Sequence, residues 1–204
     1  MADTPASGAG IRKDVRVQVP PRPPIDAYSW RMIQVMAGDI TQLGGTSYQS
    51  AAIVNTANSR LLAGGGVCGS IFRAAGSALL QRACDEVAPC PTGESRITPA
   101  FDLRSQGVEA IVHTVGPDCR VTTQEEADVL LQLAYTSAVR CAQDAGLSSI
   151  AFPSISTGIY GFPKERAAQI AIKALQSVDR QDLTITLVAF DRDTAQLWEQ
   201  ALSQ

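Results

Sequence analysis

The chain has 204 residues, of which 45% are hydrophobic and 18% are charged, and its formal net charge is −3. This length is enough for one sizeable domain with short extensions, and the composition is typical of a globular protein. The acidic balance gives no chain-wide attraction for nucleic-acid phosphate, so an anionic ligand would have to be held by backbone amides and helix N-termini. No apolar run reaches the roughly 20 residues of a membrane helix, and no secretory signal is evident.

Metal chemistry has little support in this sequence. His113 is the single histidine, and the five cysteines form no CxxC pair. An odd number of cysteines without a secretion signal predicts free thiols in a reducing compartment. We therefore expect a cytoplasmic protein that needs neither a metal nor a cofactor.

The first part of the chain differs from the rest. Residues 1–29 are rich in alanine and proline, and the cluster VPPRPP is incompatible with a helix and with a central strand. We expect residues 1–29 to form a flexible or extended leader and residues 30–204 to form the globular domain.

Apolar runs then alternate with segments of helical periodicity. Strands are predicted at residues 31–37, 51–55, 110–115, 149–153 and 183–190, and helices at 69–75, 78–87, 125–145, 165–178 and 194–202. Several of the strands are almost continuously apolar, which indicates burial on both faces. The alternation predicts an α/β fold, a sheet with helices on both faces, whose ligands bind beyond the carboxyl ends of the strands.

Residues 53–76 (IVNTANSRLLAGGGVCGSIFRAAG) hold the first loop of interest. A buried strand ends in two asparagines, and Gly64–Gly66 leads into a helix. Glycines let backbone amides approach a ligand, and the helix N-terminus adds free N–H groups and a positive dipole end. This pattern is typical of half a diphosphate site. The alternatives are a flexible turn for the glycines and turns or caps for the asparagines.

Residues 153–163 (PSISTGIYGFP) form a second loop of this kind, with hydroxyls on the strand side and glycines around an apolar pair. There is no GK[ST] of a phosphate-binding P-loop and no GxGxxG after the first strand. Two such loops at two strand ends predict a diphosphate held between them. After the first predicted strand, Asp39 could accept a hydrogen bond from an exocyclic amine such as adenine N6, although capping its own turn is the commoner use of such an aspartate.

The motifs GDIT, IVNTAN, AGGGVCGSIFRAAG, VHTVGP and PSISTGIYGFP together resemble the macro domain family over roughly residues 31–203. The resemblance implies a three-layer α/β/α fold with a central mixed, largely parallel sheet. It also implies binding of ADP-ribose and removal of mono-ADP-ribose from acidic side chains. Related activities in the family are deacetylation of O-acetyl-ADP-ribose and action on ADP-ribose 1″-phosphate.

The resemblance also assigns residues. It places Asp39 and Ile40 at the adenine, Asn58 at the distal ribose as the catalytic residue, and Phe190 beside the adenine. The first diphosphate loop comprises Gly65, Gly66, Val67 and Cys68. The second comprises Ser156, Thr157, Gly158, Ile159, Tyr160 and Gly161, with Tyr160 near the distal ribose.

Position 68 departs from the pattern of the cellular hydrolases in the family. Those proteins commonly carry an acid where this chain has Cys68, and a histidine where it has Phe72. A cysteine at that position resembles the macro domains of positive-strand RNA viruses such as alphaviruses, and the leader would suit a rubella-like non-structural polyprotein. That resemblance implies a role in the host cytoplasm, reversing host ADP-ribosylation.

A nucleophilic role for Cys68 would need a lowered thiol pKa and a nearby base. His113 lies in an apolar strand, so we expect it to be structural and Cys68 to be a packing thiol. We expect instead that Asn58 holds the distal ribose while a water positioned by a ligand phosphate attacks the anomeric carbon.

The alternative to an enzyme is a module that reads ADP-ribose or poly-ADP-ribose with little catalysis. Its partners, like those of the enzyme, would be ADP-ribosylated proteins, and the isolated domain is expected to be a monomer. RNA binding is disfavoured by the acidic balance and by the absence of a basic, aromatic-rich patch in the sequence.

Overall fold

The structure, a computed structural model, describes residues 33–44, 46, 50–178 and 183–204. The leader expected at residues 1–29 and the first two residues of the strand expected at 31–37 lie outside these described residues. Within them, no helix is long and apolar enough to cross a membrane.

A six-stranded sheet runs through the described residues, with the strand order β1-β6-β5-β2-β4-β3. Only β3 is antiparallel to its neighbour; the other pairs are parallel. The strands are β1 (Ile33–Ala37), β2 (Ala52–Thr56), β3 (Ser95–Pro99), β4 (Ala110–Thr114), β5 (Ser149–Phe152) and β6 (Thr184–Ala189). The five strands expected from the apolar runs are all present, and the sheet is mixed and largely parallel as expected.

The strand β3 was not predicted. It lies at the edge of the sheet, where it pairs only with β4, and it contains polar residues and ends in Pro99. A proline is tolerated at such an edge because the strand has one hydrogen-bonding partner rather than two. Short edge strands of this composition lack the apolar run that marks the buried strands.

The helices are α1 (Gly66–Ala75), α2 (Ser77–Val87), α3 (Gln124–Asp144), α4 (Lys164–Ser177) and α5 (Arg192–Leu202). All five begin earlier than predicted, three of them by a single residue and α1 and α5 by more. In α1 the helix starts inside the glycine triplet, with Gly65 as an N-cap that has no side chain to signal it. In α5 the start is set by Asp191, whose carboxylate accepts a hydrogen bond from the Thr194 amide at 2.7 Å.

Both faces of the sheet are covered, because neighbouring residues of each strand point to opposite sides. On β2, Ala52 and Val54 belong to the core under α3, α4 and α5, whereas Ile53 belongs to the core under α1 and α2. Each large apolar side chain buried in these cores contributes roughly 1.5–3 kcal/mol. The fold is therefore the three-layer α/β/α arrangement.

The topology creates a crevice between β2 and β5. After β2 the chain continues to β3 and β4, which lie on one side of β2 in the sheet. After β5 it continues to β6, which lies on the opposite side of β5. The loops that follow these two strands therefore diverge, and a ligand site is expected where such loops part.

Candidate functional site

A cleft lies over the carboxyl ends of the strands. It consists of two cavities of about 410 and 450 Å³, and Gly66, Val67 and Phe190 line both of them. The combined volume is in the range of pockets that hold a drug-sized or nucleotide-sized ligand. Most residues that line the 410 Å³ cavity come from the loops after β2 and β5, where the sequence analysis expected a ligand.

The loop between β2 and α1 presents free backbone amides to the 410 Å³ cavity. The amides of Gly65, Gly66, Val67 and Cys68 donate to no acceptor in the described part of the chain. They form the first turn of α1 and its approach, where the helix dipole favours an anion. A Cβ on Gly69 would lie 2.5 Å from the carbonyl oxygen of Gly64, so only glycine allows the loop to fold this closely over its helix.

The loop between β5 and α4 presents a second set of amides to the same cavity. It is folded by hydrogen bonds from the Phe162 amide to the Ser156 carbonyl and from the Gly161 amide to the Gly158 carbonyl, both 3.0 Å. Among the described residues, no acceptor is present for the amides of Ser156, Thr157, Gly158, Ile159 and Tyr160. Consecutive free amides of this kind form an anion-binding concavity.

Ser156 is strained and incompletely bonded. Its φ is +64°, in the left-handed region that non-glycine residues rarely occupy. Its hydroxyl is buried and has no hydrogen-bond partner within the residues that the structure describes. A strained residue with an unsatisfied buried donor at a cavity wall is typical of a binding site.

The loop between β4 and α3 supports this second amide loop from behind. The Cys119 amide donates to the Tyr160 carbonyl at 2.9 Å, and the Arg120 guanidinium lies 5.9 Å from the centre of the Tyr160 ring. A Cβ on Gly116 would overlap the side chains of Ile155 and Ser156. The Ile155 amide donates to the hydroxyl of the buried Tyr135 at 3.3 Å, so the loop is anchored to α3 as well.

Asn58 lines the 410 Å³ cavity, but its side chain is bonded to its own loop. Its Nδ2 donates to the Leu62 carbonyl at 2.7 Å, and its Oδ1 accepts from the amides of Arg60 and Leu62, both at 3.2 Å. Because a carboxamide nitrogen carries two hydrogens, one remains for a ligand. Asn58 therefore both shapes the loop and reaches the cavity.

Asp39 and Ile40 line the 450 Å³ cavity with Phe190. The Asp39 Oδ1 accepts hydrogen bonds from the amide and the hydroxyl of Thr41, both at 2.8 Å, so the capping role anticipated for this residue is confirmed. Its Oδ2 has no bond to the described residues and remains for an amine. Phe190 is 91% exposed, so its ring offers apolar surface to a flat ligand at the junction of the two cavities.

His113 is buried away from the cleft, where it is hydrogen-bonded to two polar side chains. The Asn55 Nδ2 lies 3.0 Å from His113 Nδ1, and Thr98 Oγ1 lies 2.9 Å from Nε2. These contacts fit a neutral imidazole that accepts from Asn55 and donates to Thr98. Burial lowers the pKa of His113 to about 4, so the residue is structural, as predicted.

Cys68 is buried beneath the first amide loop. Its Sγ lies 4.0 Å from the Leu62 carbonyl oxygen, and only 5% of the residue is exposed. Burial raises the pKa of the thiol, and the opposing effect of the Gly64 amide is smaller. The protonated thiol packs the loop and is poorly suited to nucleophilic attack.

Several cleft residues were missed by the sequence analysis. Lys164, Asp191 and Thr194 line the 410 Å³ cavity, and Ser70 and Arg73 line the other. The capping position of Asp191 after the last strand could have indicated its place; nothing local distinguishes Lys164. No cluster of His, Cys, Asp and Glu suited to a metal occurs in the described ranges.

Fold and cleft together define an α/β protein with a cleft lined by free backbone amides at the topological switch point of its sheet. The family model for the macro domain matches residues 54–171, and the chain belongs to the macro domain family. It is 45% identical to the O-acetyl-ADP-ribose deacetylase of Escherichia fergusonii, over 84% of this chain and 96% of that protein. It is 43% identical to the O-acetyl-ADP-ribose deacetylase of Salmonella gallinarum, over 84% of this chain and 94% of that one.

Solved structures agree with this assignment. The Oceanobacillus iheyensis macrodomain with ADP superimposes with a TM-score of 0.73 at 36% identity, over 83% of this chain and 88% of that one. The Trypanosoma brucei macrodomain in complex with ADP-ribose gives a TM-score of 0.71 at 34% identity, over 83% of this chain and 68% of that one.

The viral branch assignment finds no support. The curated relatives named above are bacterial deacetylases. The assignment depended on Cys68 and on the leader at residues 1–29. Cys68 acts here as a buried packing residue, a role that does not distinguish one branch from another, and the leader lies outside the described residues.

Proposed function

We propose that this protein binds ADP-ribose and hydrolyses ester derivatives of its distal ribose. The observation that carries the proposal is the pair of amide loops, Gly65–Cys68 and Ser156–Tyr160, which line one cavity without protein acceptors among the described residues. A diphosphate supplies the anionic oxygens that such amides need. A hydrogen bond to a charged group contributes roughly 1.5–3 kcal/mol, so several of them would hold the diphosphate without a basic surface.

The two ends of the cleft suit the two ends of ADP-ribose. Asp39 Oδ2 can accept from the adenine amine, and Ile40 and Phe190 supply apolar contacts for the ring. At the other end, the remaining amide hydrogen of Asn58 can donate to a distal ribose hydroxyl. Relatives named O-acetyl-ADP-ribose deacetylase and neighbours solved with ADP and ADP-ribose support ADP-ribose as the ligand.

Hydrolysis would depend on positioning. The Cys68 thiol is protonated and His113 is buried, so neither supplies a base at the distal ribose. A water hydrogen-bonded to a ligand phosphate attacks the acetyl carbonyl, the ester C–O bond breaks, and ADP-ribose and acetate leave with the proton passing to solvent. For a glutamate or aspartate conjugate, the same water attacks the anomeric carbon and releases the protein carboxylate.

The test is a substrate panel of O-acetyl-ADP-ribose and glutamate-linked, serine-linked and poly-ADP-ribosylated proteins. We expect release from the acetyl and carboxylate esters, and much less from the serine O-glycoside. Asn58→Ala should lower turnover at least tenfold, while Arg60→Ala, an exposed change in the same loop, should leave it unchanged. Full turnover by Asn58→Ala with intact binding would contradict the role of Asn58.

The second candidate is an ADP-ribose reader. It is favoured by the buried thiol of Cys68 at a position where an acid could have activated water. Calorimetry with ADP-ribose beside the substrate panel separates the two functions, because a reader binds the ligand and releases nothing.

A further inference from the structure

One ion pair in the cleft has no part in the function described so far. Lys164 Nζ lies 3.2 Å from Asp191 Oδ2, and each side chain is 45% exposed. Of the described residues that line the 410 Å³ cavity, these two alone are charged. An exposed pair contributes little to stability, so its position in the cavity wall calls for another explanation.

The fold fixes both partners. Asp191 caps α5 by accepting from the Thr194 amide at 2.7 Å, and the hydrogen bonds from Thr194 keep its pKa below the ordinary value, so it is a carboxylate. Lys164 is the first residue of α4. A cation is unfavourable at that end of a helix dipole, and Asp191 offsets this cost by holding the ammonium at the cavity edge.

The strand order places this pair along the ligand. Asp39 follows β1 and Asn58 follows β2, and the sheet order from one to the other is β1-β6-β5-β2. A ligand with adenine at Asp39 and its distal ribose at Asn58 therefore crosses the ends of β6 and β5. The diphosphate occupies the loops after β5 and β2, which leaves the adenosine ribose over the end of β6, where Asp191 follows Phe190.

The chemistry of the pair matches a vicinal diol. A carboxylate accepts a hydrogen bond from one hydroxyl while an ammonium donates to the other. The ion pair has no net charge, which suits the uncharged diol. We propose that Lys164 and Asp191 recognise the free 2′,3′-diol of the adenosine ribose, so that the site selects ADP-ribosyl groups unsubstituted at that ribose. This inference rests on the proposed binding of ADP-ribose.

The inference narrows the substrate class. We assign the 2′-hydroxyl to Asp191 and the 3′-hydroxyl to Lys164. A substituent on the 2′-oxygen then removes the hydrogen bond to the carboxylate, and a phosphate there also places a negative charge beside it. Mono-ADP-ribosyl groups and O-acetyl-ADP-ribose keep the free diol. Internal units of a polymer extended through the 2′-oxygen do not, and the site rejects them.

Calorimetry on the full chain with ADP-ribose and with ADP-ribose 2′-phosphate tests this selectivity. The wild-type protein should bind ADP-ribose at least tenfold more tightly. Asp191→Asn keeps a side chain that caps α5 and releases Lys164, so it should remove or reverse this preference. Lys164→Met should weaken ADP-ribose binding severalfold and retain the rejection of the phosphate. Glu165→Gln is the control for Asp191→Asn: it makes the same change in net charge as that variant, at an exposed position outside both cavities, and should behave as wild type.

Equal affinity of the wild-type protein for the two ligands would overturn the inference, as would the same change of preference in Glu165→Gln and Asp191→Asn. Melting curves of each variant establish that it is folded, and Lys164→Met provides an independent test should Asp191→Asn not fold. Failure to bind ADP-ribose at all would instead contradict the proposed function.

Discussion

Replacing Gly69 with alanine should separate ligand binding from stability. The new Cβ would lie 2.5 Å from the Gly64 carbonyl oxygen, whereas ordinary contacts begin near 3.4 Å, so the loop must move by about 0.9 Å. Such overpacking typically costs about 1–3 kcal/mol, and alanine recovers about 1 kcal/mol because it favours a helix more than glycine does. We therefore expect a net loss of about 0–2 kcal/mol in the free energy of unfolding. The moved segment carries the amides of Gly65 and Gly66, so ADP-ribose affinity should fall at least tenfold, or about 1.4 kcal/mol.

The assay is calorimetric titration of ADP-ribose beside denaturant unfolding of the same variant. Gly146→Ala is the matched control. Its φ is +70° and an added Cβ would meet nothing within 4 Å, so alanine there brings only backbone strain of about 1–2 kcal/mol, far from the cleft. The control should lose stability and keep its affinity. Unchanged affinity in Gly69→Ala would refute the claim that the close fold of this loop forms the binding site.

Three further predictions concern single side chains. Cys68→Ser should retain turnover within about threefold, measured as acetate release, because burial keeps the thiol protonated; a loss of about 100-fold or more would indicate a nucleophile. For His113, the pKa is about 4 in the fold against an ordinary 6.5, so the unfolded chain takes up a proton first as the pH falls. Stability should thus decline from about pH 6.5 to pH 4 by about 3 kcal/mol, and denaturant unfolding of His113→Gln should lack this slope. Phe190→Ala should weaken ADP-ribose binding severalfold and leave ribose 5-phosphate binding unaltered, which competition calorimetry would show.

Much of the fold could be predicted because its signals are local. The strand at Ala52–Thr56 is a buried apolar run that ends in polar residues, and the glycines that follow mark a loop close to a ligand. The same pattern at Ser149–Phe152 located the second loop. These two segments meet in one cavity because parallel strands bring their carboxyl ends to one edge of the sheet.

The remaining features depend on contacts between distant residues. Lys164 and Asp191 are 27 positions apart and are brought together by the pairing of β5 with β6 and the packing of α4 against α5. Gly116 is required by the approach of Ile155 and Ser156 from another loop. The side chain of Asn58 is committed in large part to its own loop, which no pattern of residue types would indicate.

The central claim is that the two amide loops hold the diphosphate of ADP-ribose. The most direct measurement is a titration of ¹⁵N-labelled protein with ADP-ribose, following the backbone amide resonances. The largest shifts are expected at residues 65–68 and 156–160, with ADP producing the same shifts and adenosine producing few of them. Shifts confined to other surfaces, or no shifts at saturating ligand, would contradict the claim.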